Sequence, residues 1–169
     1  MTSEYQEIST NKLLDAAKQL IITDELHLAE FYLNLIKYSN NSDSIGAKIQ
    51  SIYNLSSIYK LLHNEPQLLH IGRKILKWIT LLDLKRYNQE VLLMIIQILL
   101  NCAEECQSKD TAMLTGWFLF ISKNISMEHS IKDATINDKI RTMFPKFLKQ
   151  LNESLYETYQ EDLKTKKQN

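Results

Sequence analysis

Residues 10–38, TNKLLDAAKQLIITDELHLAEFYLNLIKY, contain two runs in which apolar residues return every three or four positions. This spacing is typical of helices with one apolar face, and it predicts a first helix over Asn11–Ile22 and a second over Glu25–Tyr38. Only the polar pair Thr23–Asp24 separates the two runs. Because so short a break leaves two helices side by side, the segment 11–38 predicts an antiparallel helical hairpin.

The same pattern continues along the chain. Two further hairpins are predicted over residues 45–82 and 87–124, each with a short polar break inside it. Ser39–Ser44 (SNNSDS) predicts the loop that joins the first two hairpins. Val91–Leu100 (VLLMIIQILL) is apolar on nearly all sides, so the helix predicted around it, over Tyr87–Gln107, is expected at the centre of the fold.

A last helical region is predicted over residues 133–163, with Pro145 causing a kink or starting a new helix. Its apolar stripe consists of Phe147, Leu148, Leu151, Leu155 and Tyr159. The sixth helix offers an apolar face made of Trp117, Phe118 and Phe120. We therefore expect the last helix to cap the final hairpin, with docking on a partner as the alternative. Polar tails are predicted at 1–10 and 164–169.

The composition supports an all-helical chain. Only three glycines and two prolines occur among 169 residues, where average usage would give roughly 20. Sheets and tight loops consume these residues, so we predict an all-α fold in a single domain spanning residues 11–163. Gly72 and Gly116 fall inside predicted helices, where they are expected to mark close helix contacts.

Charge and hydropathy narrow the classes of function. Lysine and arginine (20) balance aspartate and glutamate (20), which makes a nucleic-acid partner unlikely. The run Val91–Leu100 is half as long as a bilayer span requires, and Met1–Thr10 carries Glu4 and Glu7 in place of an apolar signal segment. We therefore expect an intracellular protein, cytoplasmic or nuclear, without a membrane span.

No motif points to catalysis. The sequence lacks GxGxxG, GxxxxGK[ST], GxSxG and HExxH, so we expect no enzymatic activity and no cofactor. Cys102 and Cys106 lie four residues apart on one helix face. A structural zinc site needs four ligands, usually from paired short loops, so packing of two free, buried thiols is the preferred interpretation and no metal is expected.

The first hairpin resembles a tetratricopeptide repeat. The matching positions are Leu13, Ala17, Leu20, Ala29, Leu33 and Ile36 in the first pair, Ile52, Leu55, Ser56 and Tyr59 in the second, and Leu99, Cys102, Ala103 and Cys106 in the third. Leu68 and Gly72 depart from the family's pattern, and the anchors Ala17, Ser56 and Ala103 are 39 and 47 residues apart, longer than the usual 34. The resemblance covers residues 10–124.

The resemblance implies a TPR-like right-handed array of three hairpins with a C-terminal capping helix. It also implies that the first helix of each hairpin lines a concave face that binds a peptide or helix of another protein. The expected partner-binding residues are Lys18, Ile21, Gln50, Tyr53, Ser57, Lys60 and Glu104. The same face would include Asn11, Leu14, Gln97, Leu100 and Gln107. Leu14 and Gln97 stand where a clamp for a terminal carboxylate would need lysine, so no such ligand is expected.

Two functions remain open on the sequence alone. One is a non-catalytic interaction module or scaffold subunit that holds a partner's segment in its groove. The alternative is an irregular helical bundle that serves as a structural subunit of a larger complex and has no groove of its own. Whether the hairpins stack in one direction or close around a common core separates these two architectures.

Overall fold

The computed structural model describes residues 2–37 and 45–168, and the side chains of these residues other than 2–9, 109 and 154. The described residues form seven α-helices and no strand, which confirms the predicted all-α class. The helices are α1 Thr2–Ile22, α2 Leu26–Lys37, α3 Ile45–Leu61, α4 Glu65–Leu81, α5 Gln89–Glu105, α6 Ala112–Glu128 and α7 Ala134–Gln168. The loop predicted at Ser39–Ser44 lies outside the described residues.

Three of the helix ends share one turn geometry. Asp24, His63 and Ser130 have left-handed backbone angles, with φ of 63°, 51° and 51°. In each case the residue that follows donates its N–H to the carbonyl five positions back, at 2.8 to 2.9 Å. This is the hydrogen bond that closes a Schellman-type helix end. The same device therefore ends α1, α3 and α6 and turns the chain into the next helix.

Side-chain caps begin the later helices. The Asn88 side chain accepts a hydrogen bond from the N–H of Val91 at 3.0 Å, at the start of α5. Asp133 caps α7 in the same way, accepting from the N–H of Ile136 at 3.0 Å. These side chains satisfy backbone donors that a helix N-terminus otherwise leaves without an acceptor.

The helices contact one another in the order of the chain. Each helix packs on the next one, and α1, α3, α5 and α7 also pack on each other in sequence. Substantial contacts within the described residues join only helices that are one or two places apart. The helices thus form two layers, with the odd-numbered helices in one and α2, α4 and α6 in the other.

Helix α5 is the centre of this arrangement, as its sequence predicts. It contacts α3, α4, α6 and α7. Its buried residues are Leu92, Ile95, Ile96, Ile98, Leu99, Leu100, Asn101, Cys102 and Ala103. Burial of these side chains supplies a large share of the hydrophobic stabilisation of the fold.

Gly72 and Gly116 mark close helix contacts, which confirms that expectation. A Cβ atom on Gly72 would meet the ring of Phe118 at 2.4 Å, and one on Gly116 would meet the ring of Phe147 at 2.7 Å. Both aromatic rings fill the space that a side chain would take. The two glycines therefore make room for a ring of α6 against α4 and for a ring of α7 against α6.

Both predicted tails differ from the structure. Residues 2–10 belong to α1 and residues 164–168 belong to α7. Charge explains both extensions: Glu4 and Glu7 lie near the positive end of a helix dipole, and the basic last turn of α7 lies near the negative end. Pro145 does not divide α7. Pro145 has no N–H to donate to the carbonyl of Arg141, four residues earlier. Because the proline is exposed, water can hydrogen-bond to that carbonyl instead.

The expected capping by α7 is correct for its first half and wrong for its second. Phe147 and Leu151 are half-buried, whereas Leu148, Leu155 and Tyr159 are exposed. On α6 the rings of Trp117 and Phe120 are also exposed, and Phe118 packs on Gly72. Length accounts for Leu155 and Tyr159 alone, because α7 has 35 residues and α6 has only 17; Leu148 is exposed although it precedes Leu151.

Candidate protein-binding groove

A groove of about 540 Å³ crosses α1, α3, α5 and the start of α7. Its lining is mixed, with polar, charged and apolar side chains. The lining residues are Lys18, Gln50, Tyr53, Asn54, Glu90, Leu93, Met94, Gln97, Asp133, Thr135 and Ile136. Three of the predicted partner-binding residues, Lys18, Gln50 and Tyr53, therefore lie together here, and we call this surface the α1–α3–α5 groove.

The other predicted partner-binding residues lie elsewhere. Ile21 packs against the hydrophobic core. Ser57 is half-buried, and its hydroxyl donates to the Tyr53 carbonyl at 3.2 Å within α3. Leu14 and Leu100, which the resemblance also placed on the concave face, are buried in the core.

Lys60 and Glu104 bind each other. The Lys60 ammonium donates to the Glu104 carboxylate, whose second oxygen lies 3.3 Å from the Lys139 ammonium of α7. Burial lowers the pKa of Lys60, the charge of Lys139 lowers it further, and Glu105 acts in the opposite direction. This cluster joins α3, α5 and α7. Lys60 and Glu104 therefore hold helices together, whereas the resemblance predicted that they would contact a partner.

Asn54 is a groove residue that sequence reasoning missed. Its side-chain nitrogen is buried and has no hydrogen-bond partner within the described residues. Leaving a buried donor unpaired costs about 1–3 kcal/mol. Because this nitrogen is closed to solvent, a ligand acceptor reaches it only when the side chain turns towards the groove that it lines. The signal in the sequence is an asparagine in the middle of a predicted helix, where its propensity is poor.

A buried polar network supports the groove from below. Gln97, which lines the groove, donates its amide N–H to the Asn101 oxygen at 3.0 Å. The Asn101 nitrogen donates to the Ser56 hydroxyl at 3.0 Å, and that hydroxyl donates to the Tyr53 carbonyl at 2.7 Å. Because every link is satisfied, the network fixes α3 against α5 and holds Tyr53 and Gln97 in place.

The two cysteines are free, buried thiols near the end of α5. The Cys102 thiol donates to the Leu68 carbonyl at 3.2 Å. Burial raises the pKa of both thiols; the charges of Glu65 and Glu105 add to the effect at Cys106, whose pKa rises to about 12. A raised pKa keeps a thiol protonated and weakly nucleophilic at neutral pH. Across residues 2–37 and 45–168, no three His, Cys, Asp or Glu side chains come together as a metal site.

No protein-family model, curated protein sequence or solved structure matches the chain. Within the described part of the chain, none of the helices combines the length and the apolar character needed to cross a bilayer. The α1–α3–α5 groove is thus the feature on which a functional proposal can be based.

Proposed function

We propose that the chain is a non-catalytic protein-binding module that holds a peptide or helix of a partner in the α1–α3–α5 groove. The observation that carries this proposal is the groove itself, in which polar, charged and apolar side chains from four helices line one surface. A polypeptide offers one carbonyl acceptor per residue, and the Asn54 amide, once turned towards the groove, would donate to such a carbonyl. The apolar residues Leu93, Met94 and Ile136 would take up apolar side chains of the same segment.

A TPR-like right-handed array is the architecture that we propose for this module. The order of the helix contacts supports it, because stacking along the chain is what distinguishes a solenoid from a closed bundle. We propose an internal segment of the partner as ligand. Gln97, at one of the two family clamp positions, carries no charge, and Leu14, at the other, is buried, so neither offers a cation for a terminal carboxylate.

The test is selection of 12-residue peptides from a random phage-displayed library on the full chain, followed by affinity measurements. Tyr53→Ala and Asn54→Ala should each weaken the selected peptides at least tenfold. Asn54→Ala should leave the free energy of unfolding unchanged or slightly higher, because it removes an unsatisfied donor. Phe31→Ala, which truncates an exposed ring on α2, is the matched control and should leave peptide affinity unchanged.

Two results would contradict the groove proposal. One is a library that yields no peptide above background. The other is a set of peptides whose affinity is the same for the wild type and for both groove variants.

A second candidate function is a structural subunit of a larger complex. Exposed apolar stripes on two helices favour it, because large faces of this kind usually contact a partner. They consist of Leu28, Phe31 and Leu35 on α2, and Met113, Trp117 and Phe120 on α6. If this function is correct, a stoichiometric partner purified with the chain is lost on Trp117→Ser and kept on Tyr53→Ala; groove binding predicts the reverse.

A further inference from the structure

Three side chains that line the α1–α3–α5 groove carry charge, and the two signs lie on different helices. Lys18 belongs to α1, whereas Glu90 lies in the first turn of α5 and Asp133 immediately precedes α7. Within the layer of odd-numbered helices, α3 lies between α1 and α5. The groove therefore has a cationic side on α1 and an anionic side on α5 and α7.

Folding leaves two of these charges without a counter-ion. Across the described residues, neither Lys18 nor Glu90 takes part in an ion pair, although the Lys18 side chain is half-buried. Asp133 differs, because its carboxylate caps α7 by accepting from the N–H of Ile136 at 3.0 Å. Lys18 and Glu90 are thus available to pair with charges of a bound segment.

The surface between the two charges suits uncharged side chains. Leu93 and Met94 of α5 are half-buried there, and Tyr53 of α3 lies beside them in the same groove. Neighbouring helix axes are roughly 8–10 Å apart, so the two steps from α1 to α5 span roughly 20 Å or less. An extended segment advances roughly 3.3 Å per residue and crosses that span within about six residues.

We propose that the segment bound in the α1–α3–α5 groove carries an acidic side chain that pairs with Lys18 and a basic side chain that pairs with Glu90. Apolar side chains between them pack on Leu93 and Met94. Opposite charges on the two sides also fix the direction of the segment, because a reversed segment would place like charges together. This inference rests on the proposed function and adds to it the chemistry and the orientation of the partner.

Charge reversal tests the pairing, with the peptides selected from the 12-residue library as probes. The peptides are synthesised with amidated C-termini, so that any acidic group is a side chain. They should contain an acidic and a basic residue within about six positions of each other. Lys18→Glu and Glu90→Lys should each weaken binding about tenfold, because repulsion replaces attraction. A peptide with the acidic residue changed to lysine should regain affinity for Lys18→Glu, and one with the basic residue changed to glutamate should regain affinity for Glu90→Lys.

Two control variants make the same changes of charge outside the groove. Lys12→Glu alters an exposed lysine of α1, and Glu25→Lys alters an exposed acid immediately before α2. Both should bind the selected peptides like the wild type. Thermal unfolding of every variant separates binding from folding, because Glu90 also lies near the positive end of the α5 dipole. Glu90→Gln and Lys18→Gln, which remove charge without reversing it, should bind with intermediate affinity.

The outcomes separate this inference from the proposed function. Peptides that lose affinity on Tyr53→Ala but bind both charge-reversal variants like the wild type would overturn the charge pairing and leave the groove function standing. Weakened binding that the charge-reversed peptides do not restore would also overturn the pairing. A library without binders, or peptides that are insensitive to Tyr53→Ala as well, would overturn both.

Discussion

Helix α5 and the second half of α7 have the same kind of sequence pattern and opposite surroundings. Both carry apolar residues at helical spacing, yet nine residues of α5 are buried, whereas Leu155 and Tyr159 of α7 stand in solvent. Helix α5 contacts α3, α4, α6 and α7, whereas most side chains of residues 152–168 of α7, which we call the C-terminal arm, are exposed. Apolar periodicity therefore identifies a helix and its apolar face, and the lengths of neighbouring helices decide whether that face is covered.

Truncating a leucine in each region should show the contrast most strongly. Leu99→Ala removes a fully buried side chain at the centre of the fold, and should lower the free energy of unfolding by about 2–5 kcal/mol. Leu155→Ala makes the same chemical change in the arm and should alter the free energy of unfolding by less than about 0.5 kcal/mol. Urea denaturation followed by circular dichroism measures both. Equal losses would show that the arm packs against the fold.

Two glycines extend the comparison from side chains to backbone contacts. Gly72→Ala places a methyl group against the Phe118 ring, and should destabilise the fold by about 1–3 kcal/mol. Gly46→Ala is the matched control, because nothing lies within 4 Å of its added Cβ, and should stabilise by up to about 1 kcal/mol. Thermal unfolding distinguishes them. An unchanged stability in Gly72→Ala would mean that the Phe118 ring does not lie against Gly72 as the structure indicates.

The thiols of α5 should make folding sensitive to alkaline pH. Folding raises the pKa of both thiols. Their contribution to the free energy of unfolding is therefore complete below the unfolded pKa of about 8.5 and is lost as the pH rises towards the folded pKa, about 12 for Cys106. Between pH 9 and 10 the free energy of unfolding should fall by up to about 1.4 kcal/mol for each thiol. The variant Cys102→Ala, Cys106→Ala should show a shallower pH slope. If the slopes are the same, the thiols are accessible to water.

Removing the arm should have the smallest effect on stability. Ending the chain after Leu151 leaves the contacts of Phe147 in place, so the unfolding free energy should change by less than about 0.5 kcal/mol. Ending it after Pro145 also removes the half-buried Phe147 and Leu151, each worth up to about 1.5–3 kcal/mol. Urea denaturation compares the two products. A large loss of stability from the first truncation would show that the arm packs on the rest of the fold.

The sequence by itself determined the helices, the central place of α5 and the close contacts at Gly72 and Gly116. These features follow from local hydrogen bonding, from apolar periodicity and from the high cost of glycine in a helix without a packing reason. Four of the eleven groove residues, Lys18, Gln50, Tyr53 and Gln97, were also anticipated, through the positions that the tetratricopeptide resemblance assigns to a concave face.

Only the tertiary structure decided which polar residues contact one another. Lys60 and Glu104 are 44 residues apart, and no local pattern shows that they and Lys139 meet, or that the Asn54 nitrogen is left without a partner. The same holds for α7, whose first half is covered and whose second half is not. Pairings of this kind depend on how far one helix extends past another and on how the layers stack, and those distances are set by the packing of the whole chain.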